Sequence, residues 1–278
     1  MMGAVVYDLQ AAGEGMVPAF SGRLMHGVFF DILHRFSPTL ADEVHSFPLE
    51  KPFTVTQLLF QEKLRRGGHY RTERIIRQGD CFRWRVTGLR KEIVGAALSV
   101  RPGDVLQVHN VPMAVTAVRD DGREAGWADE NELMAQCFSA GSVQSVTFHF
   151  LSPLSFRIGR DDFPWPLPQY IFYSLARKYK IASALPTLDP EQVKALAAEI
   201  PVLSWKGESR QIYLGKDTGV LGAMGKVTFD LSRFPEEEGQ ILLFLAKFST
   251  FSGVGRLTAQ GLGQSRVTWR ILGLDGQE

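Results

Sequence analysis

The sequence predicts an α+β protein made of two ferredoxin-like halves in tandem. Two observations lead to this prediction. Alternating, β-rich segments are interleaved with segments whose apolar residues recur every three or four positions, and a strand–helix–strand–strand–helix–strand order is followed by a second, similar series. In such an order, helices cover one face of an antiparallel sheet and leave the other face free for ligands. With 278 residues the chain is long enough for two cores, and we expect domains 1–140 and 141–278.

In the first half, a strand is predicted at 4–9 and a helix at 23–36, with Ser21 as its N-cap. The helix places its apolar residues on one stripe, as a helix lying on a sheet does. Ser37 and Pro38 are expected to end it and to begin a second short helix through Val44. Further strands are predicted at 53–60, 81–87, 105–108 and 113–118, with a helix at 89–98 between them.

In the second half, small residues near 140 mark the boundary, after which the pattern resumes. Strands are predicted at 143–151, 211–214, 225–231 and 265–272, and helices at 166–180 and 237–248. A proline stands at the start of the first of these helices, a position that suits its fixed φ and its missing N–H.

The composition excludes several classes of protein. The formal net charge is +1, so any basic surface for nucleic acid must be local. The two cysteines, Cys81 and Cys137, are far apart and lack the spacing of a zinc site or disulfide framework. No signal peptide and no apolar run of about 20 residues is present, so we expect a cytoplasmic protein outside the membrane. No metal site or cofactor is predicted.

A glycine-rich loop joins the last predicted helix to the last predicted strand. It contains the pair Gly253 and Gly255, then five residues that begin with Arg256, then the pair Gly261 and Gly263. Glycine accepts positive φ angles and lacks a Cβ atom, so main-chain N–H groups here could approach a phosphate, with Arg256 as a charged donor. The alternative is a helix C-cap followed by a tight turn.

Two GxG pairs around a short basic loop, at this position, resemble the signature of the repeat-associated RNA-binding superfamily that includes the CRISPR repeat endoribonucleases. The segments 18–59 and 150–180 are similar to blocks of the same family. The resemblance implies two ferredoxin-like domains, with RNA along the cleft and the sheet surface and with the glycine-rich loop in contact with RNA. It also implies metal-independent cleavage of the precursor transcript inside each repeat, leaving a 2′,3′-cyclic phosphate and a 5′-hydroxyl. The implied partner is CRISPR repeat RNA, with other subunits of an effector complex and a second copy of the chain as further candidates.

The same resemblance points to catalytic residues. In this chemistry the 2′-hydroxyl of the RNA attacks, and the protein supplies a base, an acid and a cation. His45 matches the family's catalytic histidine, and Lys51 follows at the distance where some members place a catalytic lysine. Without the resemblance, a histidine at a helix end is read as a cap or a surface residue, and Lys51 as a solvated loop lysine.

His26 is the competing histidine. It lies on an otherwise apolar helix, so it is either a half-buried structural residue or a second proton-transfer group. Some family members carry a tyrosine near the position of Phe29 and Phe30, and phenylalanine cannot transfer a proton. A third catalytic group is therefore His26 or lies elsewhere.

RNA contacts are predicted in two further places. The first is the basic segment 63–77, which contains Arg65 and Arg66. The second is Arg157, which lies in segment 150–180, the block of the second half that is similar to the family. Ordinary surface charge is the alternative for both.

Three other functions stay open. The chain could be a non-catalytic RNA-binding subunit of the same superfamily, although His45 and Lys51 argue against this. A nucleotide-binding metabolic enzyme is disfavoured because the glycine loop follows a helix instead of a strand. A metal nuclease could use Asp120 with Asp121 or Asp161 with Asp162, but such pairs are more often turn formers.

Overall fold

The computed structural model describes residues 1–48, 50–60, 73–122, 124–183, 188–215, 219–272 and 274–277. Its contacts divide the chain into two units. The first unit contains Met1–Trp127, Ile212–Gly219 and Ala259–Gly261, and the second contains Ala128–Gln211, Val220–Thr258 and Leu262–Glu278. Three residues of the glycine-rich loop region, 259–261, thus belong with the N-terminal sequence.

The elements of the first unit are β1 (Met2–Ala11), β2 (Gly15–Pro18), α1 (Gly22–Phe36), α2 (Pro38–Ser46), β3 (Phe53–Val55), β4 (Leu59–Phe60), β5 (Glu73–Ile76), β6 (Cys81–Gly88), α3 (Lys91–Leu98), β7 (Val105–Val108), β8 (Val111–Arg119) and β9 (Gly126–Ala128). The main sheet has the order β3-β6-β1-β8-β7, with antiparallel pairing along that order. Strand β4 is also antiparallel to β6, and β9 lies beside β1. Strand β2 pairs with β5 separately. The order of β3, β6, β1 and β8 is that of a ferredoxin-like sheet, which confirms the predicted fold class for this half.

The core of the first unit forms where the apolar stripe of α1 meets one face of the sheet. Met25, Phe29 and Ile32 of α1 are buried in one cluster with Tyr7 of β1. The Tyr7 hydroxyl is also buried, and it donates a 2.6 Å hydrogen bond to the Ala97 carbonyl at the end of α3. Burial raises the pKa of Tyr7. The stripe predicted from the sequence therefore anchors α1.

The elements of the second unit are α4 (Glu130–Phe138), β10 (Val143–Leu154), β11 (Phe156–Ile158), β12 (Asp161–Phe163), α5 (Pro168–Ala182), α6 (Pro190–Ala198), β13 (Val202–Tyr213), β14 (Gly219–Asp230), α7 (Glu236–Ser252), β15 (Ser265–Ile271) and β16 (Leu274–Gln277). Its sheet repeats the ferredoxin-like strand order, as β13-β14-β10-β15, with β16 at the edge beside β15. Strands β11 and β12 form a small separate hairpin. A 3₁₀ turn at Thr258–Gln260 precedes β15.

Aromatic rings fill the core of the second unit. Phe148 of β10 meets Phe172 of α5 edge to face, with ring centroids 5.9 Å apart, and Phe229 of β14 lies 6.0 Å from the same ring. Tyr179 packs in the same manner on Phe244 of α7, at 5.1 Å. Helices α5 and α7 therefore cover one face of this sheet.

Several elements differ from the prediction. Helices α4 and α6 were not predicted. Strand β13 begins at Val202, whereas the prediction began it at 211, because the residues of β13 are almost all exposed and show no apolar alternation that would reveal a strand. The predicted strand at 53–60 is interrupted between β3 and β4. Ser21 stands at the N-cap of α1, but its hydroxyl accepts from the Leu58 N–H at 2.9 Å instead of capping the helix. Among the described residues, no helix is long and apolar enough to cross a membrane.

Candidate active site

Two helices of the first unit bring His26 and His45 to one aromatic residue. Helix α2 begins where the Ser37 hydroxyl accepts from the Leu40 N–H, and His45 lies in its last turn. The Phe30 ring centroid is 4.9 Å from that of His26 and 5.7 Å from that of His45, with an edge-on arrangement in both cases. The two predicted histidines therefore lie close together, each in contact with Phe30.

The ring of His26 is held in a defined orientation. It is half-buried and stacks on Phe53 of β3, with centroids 5.5 Å apart. Its Nδ1 lies 2.9 Å from the Ala259 carbonyl oxygen. A carbonyl can only accept a hydrogen bond, so Nδ1 carries the proton and a neutral His26 has its lone pair on Nε2.

The surroundings of His26 favour its neutral form. Burial is the largest effect and lowers the pKa of His26. The bond to the Ala259 carbonyl, the next largest effect, opposes it, and the positive charges of Lys51, His45 and Arg23 each lower the pKa by a smaller amount. Near neutral pH, Nε2 is therefore available to accept a proton. A neutral imidazole held in one tautomer is suited to act as a general base.

Lys51 closes the C-terminal end of α2. Its Nζ donates to three main-chain carbonyls, those of Val44 at 3.1 Å, His45 at 2.7 Å and Phe47 at 2.7 Å. A cation at the C-terminus of a helix also interacts favourably with the helix dipole. Burial lowers the pKa of Lys51. All three protons of the ammonium are used in fixing the backbone next to His45, so Lys51 offers its charge to the site but no free N–H.

Phe29 and Phe30 have different environments. Phe29 is fully buried in the core of the first unit, whereas Phe30 is half-buried at the site. Neither ring can exchange a proton. His26 is the group that the structure brings there.

The glycine-rich loop has the backbone geometry that the sequence predicts. Gly253, Gly255, Gly261 and Gly263 have φ angles of 61°, 75°, 90° and 62°. A Cβ atom on Gly263 would lie 1.9 Å from the Val254 carbonyl oxygen, so only glycine fits there.

The N–H groups of this loop are largely used within the protein. The Gly255 N–H donates to the Ser174 hydroxyl and the Gly263 N–H to the Pro153 carbonyl, both at 2.9 Å. Arg256 forms a 2.8 Å ion pair with Asp162, and burial lowers the pKa of Arg256. These groups shape the loop, and they are not turned outward as a ready phosphate cradle.

A buried lysine that the sequence analysis missed holds the same loop. Lys178 of α5 is 3% exposed, and its Nζ contacts the carbonyls of Ser252 and Gly253 at 3.1 Å and the Thr258 hydroxyl at 3.2 Å. The sequence does contain a signal, because Lys178 continues the buried stripe of Ile171 and Leu175 at helical spacing. By contrast, the Ala259 carbonyl that orients His26 is a backbone atom and leaves no mark on the sequence.

The remaining candidates are distributed as follows. Arg157 is exposed on β11 and donates to the Arg160 carbonyl at 3.2 Å. Arg65 and Arg66 lie outside the described residues, so their predicted contact with RNA stays a prediction. Asp162 is engaged by Arg256 and by the Leu221 N–H. Among the residues that the structure describes, no group of three or more His, Cys, Asp or Glu side chains could hold a metal ion.

Comparisons with known proteins give one consistent result. The family model for the CRISPR Cas6 N-terminal domain matches residues 3–128, and that for the CRISPR-associated endoribonuclease Cas6 matches residues 148–265. The fold is similar to that of a solved Cas6 product complex, with 27% identity, a TM-score of 0.74 and coverage of 96% of this chain and 100% of that chain. Thermus thermophilus Cas6 gives 26% identity, a TM-score of 0.69 and coverage of 96% and 98%.

A Cas6-related protein from Pyrococcus furiosus shares the fold at 13% identity, with a TM-score of 0.64 and full coverage of both chains. A search of curated protein sequences gives no match. Further solved Cas6 structures of similar fold are a substrate mimic complex and a variant in which a histidine is replaced by alanine.

Proposed function

We propose a reaction mechanism for this chain, which belongs to the Cas6 family of CRISPR-associated endoribonucleases and is therefore an enzyme of CRISPR repeat RNA processing. In this proposal, it cleaves the repeat without a metal ion, by attack of the RNA's own 2′-hydroxyl. The observation that carries this proposal is the pairing of two histidines at Phe30, one of which is oriented by the Ala259 carbonyl.

In the proposed reaction, His26 acts as general base and His45 as general acid. Nε2 of neutral His26 takes the proton from the 2′-hydroxyl while the 2′-oxygen forms a bond to phosphorus. The bond from phosphorus to the 5′-oxygen breaks, and the protonated imidazole of His45 gives its proton to that oxygen. The products are a 2′,3′-cyclic phosphate and a 5′-hydroxyl, and the two histidines end in exchanged protonation states.

Lys51 contributes in two ways in this proposal. Its positive charge lies near the site, where it stabilises negative charge on the phosphorane. Its three hydrogen bonds also hold the end of α2, which carries His45. The lysine therefore acts through its electrostatic field and by holding the end of α2 in place, since its three protons already donate to carbonyls.

RNA binding is proposed for the basic and glycine-rich elements predicted from the sequence. Arg65, Arg66 and Arg157 supply charge for phosphates. The loop of Gly253, Gly255, Gly261 and Gly263 with Arg256 is proposed to contribute mainly through its fixed shape, because its described N–H donors and the Arg256 ion pair are engaged within the protein.

The test is cleavage of a labelled CRISPR repeat RNA in excess EDTA by the wild type and by His45→Ala, with binding measured on the same samples. We expect the wild type to cut and the variant to bind without cutting. A 2′-deoxy substitution at the cut site should also stop cleavage while binding remains. Cleavage that vanishes in EDTA, or that survives the 2′-deoxy substitution, would refute the proposed chemistry.

A second candidate function is that of a non-catalytic RNA-binding subunit of an effector complex. It would show tight binding of the repeat and no cleavage by the wild type at any pH. The mass of the RNA-bound protein in solution then distinguishes a single chain from a pair of copies, and co-purification with other CRISPR subunits tests the remaining proposed partners.

A further inference from the structure

Three residues from late in the chain pack against the start of α1. Segment 259–261 belongs to the first unit, although the residues on either side of it belong to the second. The Ala259 side chain is buried in the core cluster of the first unit, together with Met25 and Phe29 of α1. The first two residues of the segment lie in the 3₁₀ turn that precedes β15. The segment is therefore anchored against α1 by its buried methyl group.

Two glycines allow segment 259–261 to approach α1 closely. A Cβ atom on Gly22 would lie 2.0 Å from the Gln260 carbonyl oxygen, and a Cβ atom on Gly261 would lie 3.0 Å from the Gly22 Cα. The buried Phe20 ring lies beside both positions, at 2.9 Å and 3.4 Å from the same two Cβ atoms. Gly22 is the first residue of helix α1, and other residues adopt helical backbone angles freely. What requires glycine here is therefore the space beside its Cα.

The close approach at Gly22 also sets the place of the carbonyl that holds His26. Gly22 and His26 are four residues apart on α1, so they lie on the same face, one turn from each other. The Gln260 carbonyl lies against Gly22, and the carbonyl of the preceding residue, Ala259, lies 2.9 Å from Nδ1 of His26. Adjacent carbonyls of one short segment thus meet successive turns of the helix. The first contact determines how near the second can come.

We propose that Gly22 is a positioning residue for His26, because the lack of a side chain there lets the Ala259 carbonyl come close enough to hold Nδ1. The proposal rests on the proposed function, in which His26 is the general base. A methyl group at Gly22 would move segment 259–261 away from α1 by at least about 1 Å, until the new contact reaches an ordinary non-bonded distance. A displacement of that size takes the Ala259 oxygen out of hydrogen-bond range of His26.

Loss of this hydrogen bond would change the His26 imidazole in two ways. The proton of the neutral ring is no longer confined to Nδ1, and a ring that carries it on Nε2 has no lone pair there to accept the proton of the 2′-hydroxyl. The bond to Ala259 also raises the pKa of His26, so its loss lowers that pKa. The charged groups that act on His26 are Arg23 on α1, His45 on α2 and Lys51 after α2, and Gly22→Ala keeps all three.

The experiment compares Gly22→Ala with Gly27→Ala, a control on the same helix where a Cβ meets nothing within 4 Å. Both variants and the wild type are labelled with ¹⁵N-histidine, and the NMR signals of the His26 ring are identified by their absence in His26→Asn. At pH 8 the wild type should show a protonated Nδ1 and an unprotonated Nε2. In Gly22→Ala the shifts of the two nitrogens should move toward each other, and the ring should titrate at lower pH.

Cleavage should change in parallel with the state of the ring. The single-turnover rate of Gly22→Ala should fall about 10–100-fold, because a displacement of about 1 Å in a catalytic group costs a rate loss of this order. Gly27→Ala should match the wild type in nitrogen shifts, in titration midpoint and in rate.

A folded Gly22→Ala protein whose His26 shifts and titration midpoint equal those of Gly27→Ala would overturn the proposal, even with a lower stability or rate. If Gly22→Ala does not fold, Ala259→Gly replaces it, because that change removes the anchoring methyl group and keeps the carbonyl. It should move the same signals in the same direction, and unchanged signals would also overturn the proposal.

The NMR measurement needs neither RNA nor cleavage, so the two proposals fail separately. Changed His26 signals with a wild-type cleavage rate would refute His26 as the general base and leave its positioning by Gly22 intact. Unchanged signals in Gly22→Ala, together with a rate that falls in His26→Asn, would refute the positioning role alone.

Discussion

The assignment of His26 as general base can be tested with two substitutions of one residue. In His26→Asn, the side-chain amide nitrogen takes the place of Nδ1 and keeps the bond to the Ala259 carbonyl, while Nε2 is removed. In His26→Gln, the polar group is displaced toward the position of Nε2, and the bond to Ala259 is lost. The pair separates the proton-transfer role of the ring from its contribution to the fold.

The expected loss follows from the role of the removed atom. A positioned general base contributes about 10²–10⁴-fold to the rate, which corresponds to about 3–5 kcal/mol of transition-state stabilisation. Both variants should lose activity in this range, because neither has a basic nitrogen. His26→Asn should keep its stability within about 1 kcal/mol of the wild type, the net worth of one hydrogen bond.

The assay is single-turnover cleavage with saturating protein in EDTA, from pH 5 to pH 9. His26 must be neutral to accept a proton, so the rate of the wild type falls as the pH drops through its pKa. Because burial lowers that pKa from 6.5, the acid limb should have its midpoint below 6.5. In His26→Asn the acid limb should disappear. A variant rate within 10-fold of the wild type, with the acid limb unchanged, would refute the assignment.

Three further predictions concern the elements around the site. Lys51→Met leaves three carbonyls at the end of α2 without their donor, so the free energy of unfolding should fall by about 1–3 kcal/mol in urea. Single-turnover kinetics should show a larger loss of cleavage than of RNA binding, and equal losses of the two would contradict this prediction. Lys178→Met should cost about 3 kcal/mol in urea unfolding, because three buried oxygens lose their partner, and an unchanged midpoint would show that they are satisfied otherwise. Gly263→Ala should destabilise the protein by about 3 kcal/mol or more, because the new Cβ clashes with the Val254 carbonyl. Gly27→Ala is the control on α1, where a Cβ meets nothing within 4 Å, and it should stabilise the protein by about 0.5–1 kcal/mol. Thermal unfolding of the two variants checks the contrast.

Local pattern was sufficient for most of the fold. The apolar stripe of α1 and the alternation in β10 have the periods of a buried helix face and a half-buried strand, and both elements formed close to their predicted bounds. Helix α6 was not predicted because it is short, and strand β13 was predicted too short because it is almost wholly exposed. Exposed segments carry little hydrophobic signal, so their state is decided by the neighbours with which they pair.

For the site, the sequence by itself determined the residue types and their spacing. It placed His45 and Lys51 around the end of one short helix, and it marked the glycines of the loop as positions that need positive φ angles, because both features depend on neighbouring residues in the chain. Only the tertiary structure decided which partners these residues meet. The Ala259 carbonyl that fixes the His26 tautomer is 233 residues away in sequence. Hydrogen bonds and charges act over a few ångströms in space, and that distance is set by how the chain folds and not by the order of its residues.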